Sequence, residues 1–335
     1  MASFAPTGLE SSGPGAPRSG RGRTSSIWTW RWSDRIIFLG AWVAGLGLCL
    51  IAAAIVLYFA VRGIQYLRPS LLVTRPQASL SQAGSGGFLD PLIGTALVTV
   101  IGMVVAIPLS VASAFWLVEY GRPTALARVV ESCIEIVAGT PDILIAIFIL
   151  AFFQIDILAP FSSTSGSGAV SGQSFIAAGA GMSLLAVPPI FVATRDGLQT
   201  VPAHLREAAF ALGKTRIATI RRVLLPSVRS NIATGSTLGI SRIIGDTAIV
   251  LIVLGGTLRL EPQGSVPGWN VLTGIGSTLT GYVHDNSPAG EGGAAEKAYA
   301  AAFVLLLFVV LLNALVGFIS RAQQRGLGLD SMLAP

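Results

Sequence analysis

Six stretches of this 335-residue chain are apolar over about 20 residues or more. An α-helix of that length rises about 30 Å, which matches the hydrocarbon layer of a membrane. Only 11% of the residues are charged and 52% are apolar, whereas a soluble domain has about 25% charged residues. The sequence therefore predicts an all-α integral membrane protein with six transmembrane helices. They are predicted at about 35–62, 92–118, 136–155, 175–194, 231–258 and 298–320.

The distribution of basic residues predicts the orientation, because positively charged loops stay in the cytoplasm. With both termini inside, 16 of the 22 Lys and Arg residues fall in inner segments and five in outer segments. Residues 1–34 are expected to form a disordered cytoplasmic tail, 63–90 an extracytoplasmic segment, and 321–335 a second cytoplasmic tail. The excess positive charge thus reflects membrane topology and contact with anionic lipid, and it does not indicate a nucleic-acid partner.

The chain lacks the residue patterns of an enzyme or a metal site. His204 and His284 fall on opposite sides of the membrane in this topology, and the two cysteines add no metal-ligand spacing. The run Leu212–Thr215 ends like a phosphate-binding P-loop, but that motif requires glycine at position 208, which is alanine. We therefore expect no catalytic residue, no metal and no bound ATP in this chain.

The longest predicted inner loop, residues 195–230, carries an ordered motif. It reads E-A-A-x₃-G-x₉-V-x-L-P from Glu207 to Pro226. Pro202 suits the first turn of a helix and Gly213 the residue just past its end. Between them apolar residues recur at three- and four-residue spacing, which predicts a short amphipathic helix.

This motif resembles the EAA loop of the permeases of ATP-binding cassette (ABC) importers, so we call residues 195–230 the EAA loop. The resemblance implies a MetI-like permease core at 91–320, in which the short helix docks on a separate ATPase. The residues carried over as ATPase-coupling are Pro202, Arg206, Glu207, Ala208, Ala209, Gly213, Leu225 and Pro226. The alternative is a helix that only covers the inner rim of the bundle.

Four further segments narrow the resemblance to the permeases of the phosphate-specific ABC importer, and to the PstA type more than the PstC type. They are Gly86–Thr95, Trp116–Arg122, Glu135–Asp142 and Arg242–Thr247. The resemblance implies a bacterial plasma-membrane subunit that carries inorganic phosphate. Its implied partners are a PstC-like second permease, a PstB-like ATPase dimer that binds ATP and magnesium, and a PstS-like phosphate-binding protein. This chain itself is expected to hold no cofactor.

Charges within the predicted spans mark a candidate translocation pathway, because a charge at bilayer depth costs about 2.5–3.5 kcal/mol and faces the bundle interior. Arg242 and Asp246 lie four residues apart, so they can pair on one helix face. The guanidinium fork matches phosphate oxygens, and the resemblance ties this arginine to translocation, with Asp246 as its partner. A buried pair that only fixes helix packing is the alternative.

Two other charged residues are pathway candidates. Arg195, at the inner end of the fourth predicted span, fits an interfacial anchor or a gate. Asp142 follows Pro141 near the start of the third predicted span, where it fits a helix cap better than a cavity lining. Asp142 also departs from the resembled family, in which serine is commoner, as Asp246 does where glutamate is usual.

Two other functions remain open at the level of sequence. Importers of sulfate, molybdate or phosphonate share the EAA loop, so the cargo could be another oxyanion. An ion-driven secondary transporter needs no ATPase, but such proteins often show paired repeats of broken helices, and no repeat is obvious in this sequence.

Overall fold

The computed structural model describes residues 32–77, 86–121, 124–164, 170–263, 268–290 and 292–325. These residues are mostly helical, and the predicted all-α class is confirmed. Two compact units are distinguished, one up to Val56 and one from Leu57 onward. Most of the predicted 1–34 tail and residues 326–335 of the second tail lie outside the described residues.

The helices are named in chain order. They are α1 Trp32–Tyr66, α2 Pro69–Val73, α3 Leu89–Trp116, α4 Ala125–Gly139, α5 Asp142–Phe153, α6 Phe175–Thr200, α7 Ala203–Ala211, α8 Arg216–Thr219, α9 Leu225–Ser227, α10 Arg229–Gly245, α11 Ala248–Val253, α12 Trp269–Leu272, α13 Leu279–Asn286 and α14 Ala295–Arg325. Within the described part of the chain, four are long and apolar enough to cross a membrane as single helices: α1, α3 with its π-helical extension to Gly121, α6 and α14.

The third predicted span, 136–155, is not one straight helix. The chain bends by 108° between α4 and α5, because Thr140 is extended, with φ −76° and ψ 131°. Pro141 causes this conformation, since the proline ring disfavours helical geometry at the preceding residue. The 12 residues of α5 rise about 18 Å, which is shorter than the hydrocarbon layer.

The fifth predicted span, 231–258, is also interrupted. Helix α10 ends at Gly245, Asp246 is extended with φ −76° and ψ 138°, and α11 begins at Ala248. The backbone N–H of Ile249 donates to the Asp246 carboxylate at 2.8 Å. Asp246 therefore supplies a cap for the first turn of α11, which stabilises a new helix start at this point.

Small residues allow the central helices of the second unit to pack closely. Helix α6 packs against α3 on one side and α10 on another. A Cβ atom on Gly179 of α6 would overlap the side chain of Ile101 on α3, and Gly239 of α10 lies against Ile190 of α6. Such contacts hold helices together in lipid, where burial of apolar surface gives little driving force.

The two parts of α1 have different surroundings in their own units. In the first unit, the described apolar side chains up to Val56 are mostly exposed. In the second unit, the last turns of α1 lie on α14: Tyr58 and Tyr299 are joined through their hydroxyls at 3.3 Å, and Gly63 faces Phe303. A long exposed apolar helix suits a lipid environment, as expected for a membrane span.

We predict that Gly179→Val lowers the stability of the protein by about 1–3 kcal/mol, because the added methyl groups overpack the contact with Ile101. The unfolding temperature of the detergent-solubilised protein measures the change. Gly317→Val is the matched control, since a Cβ atom at Gly317 meets nothing within 4 Å. Equal unfolding temperatures for the two variants would show that the α3–α6 contact is not close-packed.

Candidate functional site

The EAA loop folds as the motif predicts. Pro202 precedes α7, which runs from Ala203 to Ala211, and Gly213 follows with a left-handed φ of +74°. Residues with a Cβ atom rarely adopt this conformation, which explains why glycine stands at this position. After the turn, Thr215 caps α8 by accepting a hydrogen bond from the backbone of Ala218 at 3.3 Å.

Arg206 fixes the EAA helix α7 to two other helices. Its Nε donates to the Glu119 carboxylate at 3.0 Å, and Glu119 lies in the π-helical turn that extends α3. Its Nη1 and Nη2 donate to the backbone carbonyls of Val201 and Leu198, each at 2.9 Å, at the end of α6. One guanidinium thus joins the EAA helix to the ends of both α3 and α6, and charged hydrogen bonds of this kind are among the strongest in proteins.

A second arginine of the loop reinforces this junction. Arg216 donates to the backbone carbonyl of Glu119 at 3.3 Å, and its guanidinium lies 5.6 Å from the centre of the Tyr120 ring. Glu119 and Tyr120 belong to the segment Trp116–Arg122, which the sequence marks as a motif without assigning it a contact. The partners of this segment lie about 90 residues away in the chain, so no local spacing rule could have found them.

The EAA helix leaves the opposite face uncovered. Ala209 is buried, whereas Glu207 and Ala208 are exposed, and so are Leu205 and Phe210. Glu207 makes no hydrogen bond or ion pair with the described residues. Arg206, although predicted as a coupling residue, faces the bundle and anchors the helix there. The exposed face combines small and apolar side chains with one free carboxylate.

Leu225 and Pro226 close the motif on the other side of the loop. They form the short helix α9, and Leu225 packs against a buried apolar cluster at this end of the bundle that includes Leu117, Leu198 and Leu224. Leu225 therefore packs near the ends of α3 and α6, to which Arg206 is also hydrogen-bonded. All eight predicted coupling residues lie within one continuous structural segment.

The ion pair predicted between Arg242 and Asp246 is wrong. Arg242 instead donates from Nη2 to the carboxylate of Asp142 at 3.0 Å, and Asp142 lies one hundred positions earlier in the chain. Asp246 is 9% exposed and its carboxylate caps α11, because the helix break places it outside the helical face that carries Arg242. The prediction failed since the four-residue spacing rule requires an unbroken helix.

Asp142 also differs from its predicted role as a helix cap. It is the first residue of α5, the capping position is Pro141, and no side chain caps this helix. The two acids have therefore exchanged the roles expected from sequence: Asp246 caps a helix and Asp142 pairs with Arg242.

The Arg242–Asp142 pair lies on an open surface of this chain. The Arg242 side chain is 48% exposed and that of Asp142 is 35% exposed. Arg242 lies about 20 Å along α10 from Arg229, close to the other end of that helix. Both charged side chains are therefore accessible at this surface of the chain.

Arg195 does not join this pair. It lies near the end of α6, where its guanidinium contacts the Glu131 carboxylate of α4 at 3.4 Å and that of Asp196 at 3.3 Å. These contacts tie α6 to α4 near the EAA loop. They fit the anchor interpretation of this residue.

A known protein family matches most of this chain. Residues 100–328 match the family described as binding-protein-dependent transport system inner membrane component. The chain belongs to this family. This membership covers the EAA loop, both helix breaks and the Arg242–Asp142 pair.

Several relatives of this permease carry phosphate-transport names. The phosphate transport system permease protein PstC of Xylella fastidiosa is 31% identical over 239 residues, which cover 68% of this chain and 69% of that protein. The phosphate transport system permease protein PstA 1 of Mycobacterium tuberculosis is 28% identical over 249 residues, covering 73% and 74%. Relatives thus include proteins of both subunit names.

Solved structures with the same fold include a bacterial alginate ABC transporter in complex with an alginate pentasaccharide-bound periplasmic protein. Its chain has a TM-score of 0.60 and 11% identity, over 87% of this permease and 96% of that chain. The inward-facing MetNI methionine ABC transporter has a TM-score of 0.50 and 20% identity, over 71% and 94%. These likenesses confirm the MetI-like fold class.

We predict that Arg206→Ala loosens the EAA helix α7, because it removes the three hydrogen bonds to Glu119, Val201 and Leu198. Hydrogen exchange across Ala203–Ala211, measured by mass spectrometry, should accelerate by about tenfold or more, since a charged hydrogen bond contributes about 1.5–3 kcal/mol. The control is Arg221→Ala, an exposed arginine of the same loop. Unchanged exchange in Arg206→Ala would show that the helix is held by apolar packing alone.

Proposed function

We propose that this permease is one of two membrane subunits of an ATP-driven importer of inorganic phosphate. Its termini are cytoplasmic, and the EAA helix α7 docks on an ATPase subunit that binds ATP and magnesium. A second permease of the same fold completes the pathway, and an extracytoplasmic binding protein delivers the phosphate. The companion subunits are PstC-like, PstB-like and PstS-like in the terms of the resembled transporter.

The choice of cargo rests on Arg242, which lies on an open face of the chain and within the fifth span predicted from the sequence. A guanidinium offers a fixed planar set of donors that suits phosphate oxygens, and half of this side chain is exposed. The names of relatives at 28–31% identity support phosphate among the oxyanions. Arg242 thus provides a positive site for an anion that must pass a region of low dielectric constant.

The proposed link to ATP rests on the exposed face of α7. A partner that binds this face displaces α7, which Arg206 joins to the ends of α3 and α6. Because α6 packs closely on α10, the motion reaches the helix that carries Arg242. The chain itself then contributes movement and a pathway, and the hydrolysis of ATP takes place in the partner.

Uptake of radiolabelled phosphate into vesicles that contain the whole complex tests the cargo and the energy source together. We expect uptake only when hydrolysable ATP is present on the side of the membrane where the ATPase subunit binds. Competition with unlabelled sulfate, molybdate and phosphonate separates the oxyanion alternatives, because the true cargo competes best. Full-rate uptake with ATP hydrolysis blocked would instead favour an ATP-independent transporter.

Arg242→Ala should abolish phosphate uptake while the complex still assembles, because the anion loses its cationic partner in the pathway. Arg242→Lys should retain part of the activity, since it keeps the charge and loses the planar fork. The control is Arg128→Ala, an exposed arginine of α4 without a hydrogen bond to the described residues. Normal uptake in Arg242→Ala would remove this residue from the mechanism.

Gly213→Ala should uncouple ATP hydrolysis from uptake, because alanine at φ +74° strains the turn that ends the EAA helix by about 1 kcal/mol. The ratio of phosphate transported to ATP hydrolysed, measured in vesicles, should fall. Gly256→Ala is the matched control: it imposes the same strain at φ +66°, with nothing within 4 Å of the added atom, but beyond the end of α11. A fall in both variants would mean that backbone strain alone, and not docking, is the cause.

A further inference from the structure

Arg242 already holds an anionic group in this structure, and that group is a side chain of the protein. The carboxylate of Asp142 accepts from its Nη2 at 3.0 Å. Carboxylate and phosphate oxygens bind a guanidinium in the same way, through charge-assisted hydrogen bonds. No other described residue accepts a hydrogen bond from the Arg242 side chain.

We propose that Asp142 is an internal competitor for the transported anion, which binds Arg242 by displacing the Asp142 carboxylate. This inference rests on the proposed function, in which Arg242 receives the cargo. Asp142 is then a specificity-determining residue of the pathway, and it returns to Arg242 when the anion leaves.

The structure of the two helix ends allows the pair to separate. Asp142 lies in the first turn of α5 and Arg242 in the last turn of α10. A helix stabilises negative charge at its N-terminus and positive charge at its C-terminus. Each charge therefore keeps a favourable environment from its own helix when the ion pair opens.

Apart from its bond to Arg242, the Asp142 side chain makes no hydrogen bond with the described residues. It caps no helix, and it is more than a third exposed. Asp246, the nearer acid in sequence, is buried and bound to the backbone of Ile249, so it cannot serve in the same way. Of these two acids, only Asp142 is free to yield its place to an anion.

The chain is open at both helix breaks that flank the pair. Gly139 ends α4 just before the bend, and Gly245 ends α10 just before its break. A Cβ atom at either glycine would meet nothing within 4 Å, in contrast to the glycines of the α3–α6–α10 contacts. No described atom thus covers Gly139, three positions before Asp142, or Gly245, three positions after Arg242.

Competition by Asp142 gives the anion a moderate net affinity, which a transport site needs. An unpaired arginine in a low-dielectric pathway would hold phosphate strongly and release it slowly. The carboxylate lowers the affinity and also reduces binding of weakly attracted monovalent anions, which displace it less readily. Asp142 thereby favours both release and selectivity.

The test measures binding of radiolabelled phosphate to the purified complex of both permeases and the ATPase, without the binding protein or nucleotide. Asp142→Asn removes the charge and keeps a hydrogen-bond acceptor for Arg242. We expect it to bind phosphate at least about threefold more tightly than the wild type, as expected from loss of a half-exposed ion pair. Chloride should also compete more effectively in this variant.

The control and a second variant keep the result interpretable. Asp156→Asn changes an exposed acid just beyond the other end of α5 and should bind phosphate as the wild type does. Asp142→Ser also removes the carboxylate, with a different side chain in its place. It is the variant to test if Asp142→Asn does not assemble. Affinity equal to or lower than that of the wild type, with assembly intact, would overturn the proposal.

The outcome also distinguishes this inference from the proposed function. If the wild-type complex carries another oxyanion instead of phosphate, the phosphate assignment fails, and the same comparison with that anion decides whether Asp142 competes. If phosphate uptake is normal but Asp142→Asn does not tighten binding, only the competitor proposal fails. If neither the wild type nor any variant binds any of these anions, the competitor proposal is also overturned.

Discussion

The ion pair between Arg242 and Asp142 joins the two interrupted segments of the permease core. It forms where these segments meet, since α5 packs against α11 and Asp142 reaches Arg242 from the start of α5. Neither α5 nor α11 is long enough to span the bilayer alone. The breaks place polar backbone and charged side chains on one open surface, while the unbroken helices present apolar side chains.

The same structure connects this surface to the EAA loop. Arg206 binds α7 to the ends of α3 and α6 through a carboxylate and two carbonyls. Helix α6 then meets α10 through glycine contacts in which a methyl group has no space. Close-packed interfaces of this kind do not deform gradually, so a displacement of α7 moves the helices as units. In the proposed function, a partner docked on α7 acts on Arg242 through these contacts.

The sequence predicted those features that depend on local pattern. Apolar length located the single-helix spans near their observed bounds, and Pro202 and Gly213 located the ends of the EAA helix. Features that depend on contacts distant in the chain were not predicted. Glu119 was visible only as part of a motif, because its partner Arg206 is 87 positions away, and periodicity carries no information about such pairs.

The exchange of roles between the two acids shows why the pathway residues in particular escape sequence rules. A spacing of four residues predicts a pair only where the helix continues, and here it stops at Gly245. The stop turns Asp246 into a cap and leaves Arg242 on a helix end, where a distant carboxylate can reach it. The interruption that leaves Arg242 open is therefore also what defeats the local rule. A glycine followed by an acid within an apolar span should be tested as a helix break before it is interpreted as an ion pair.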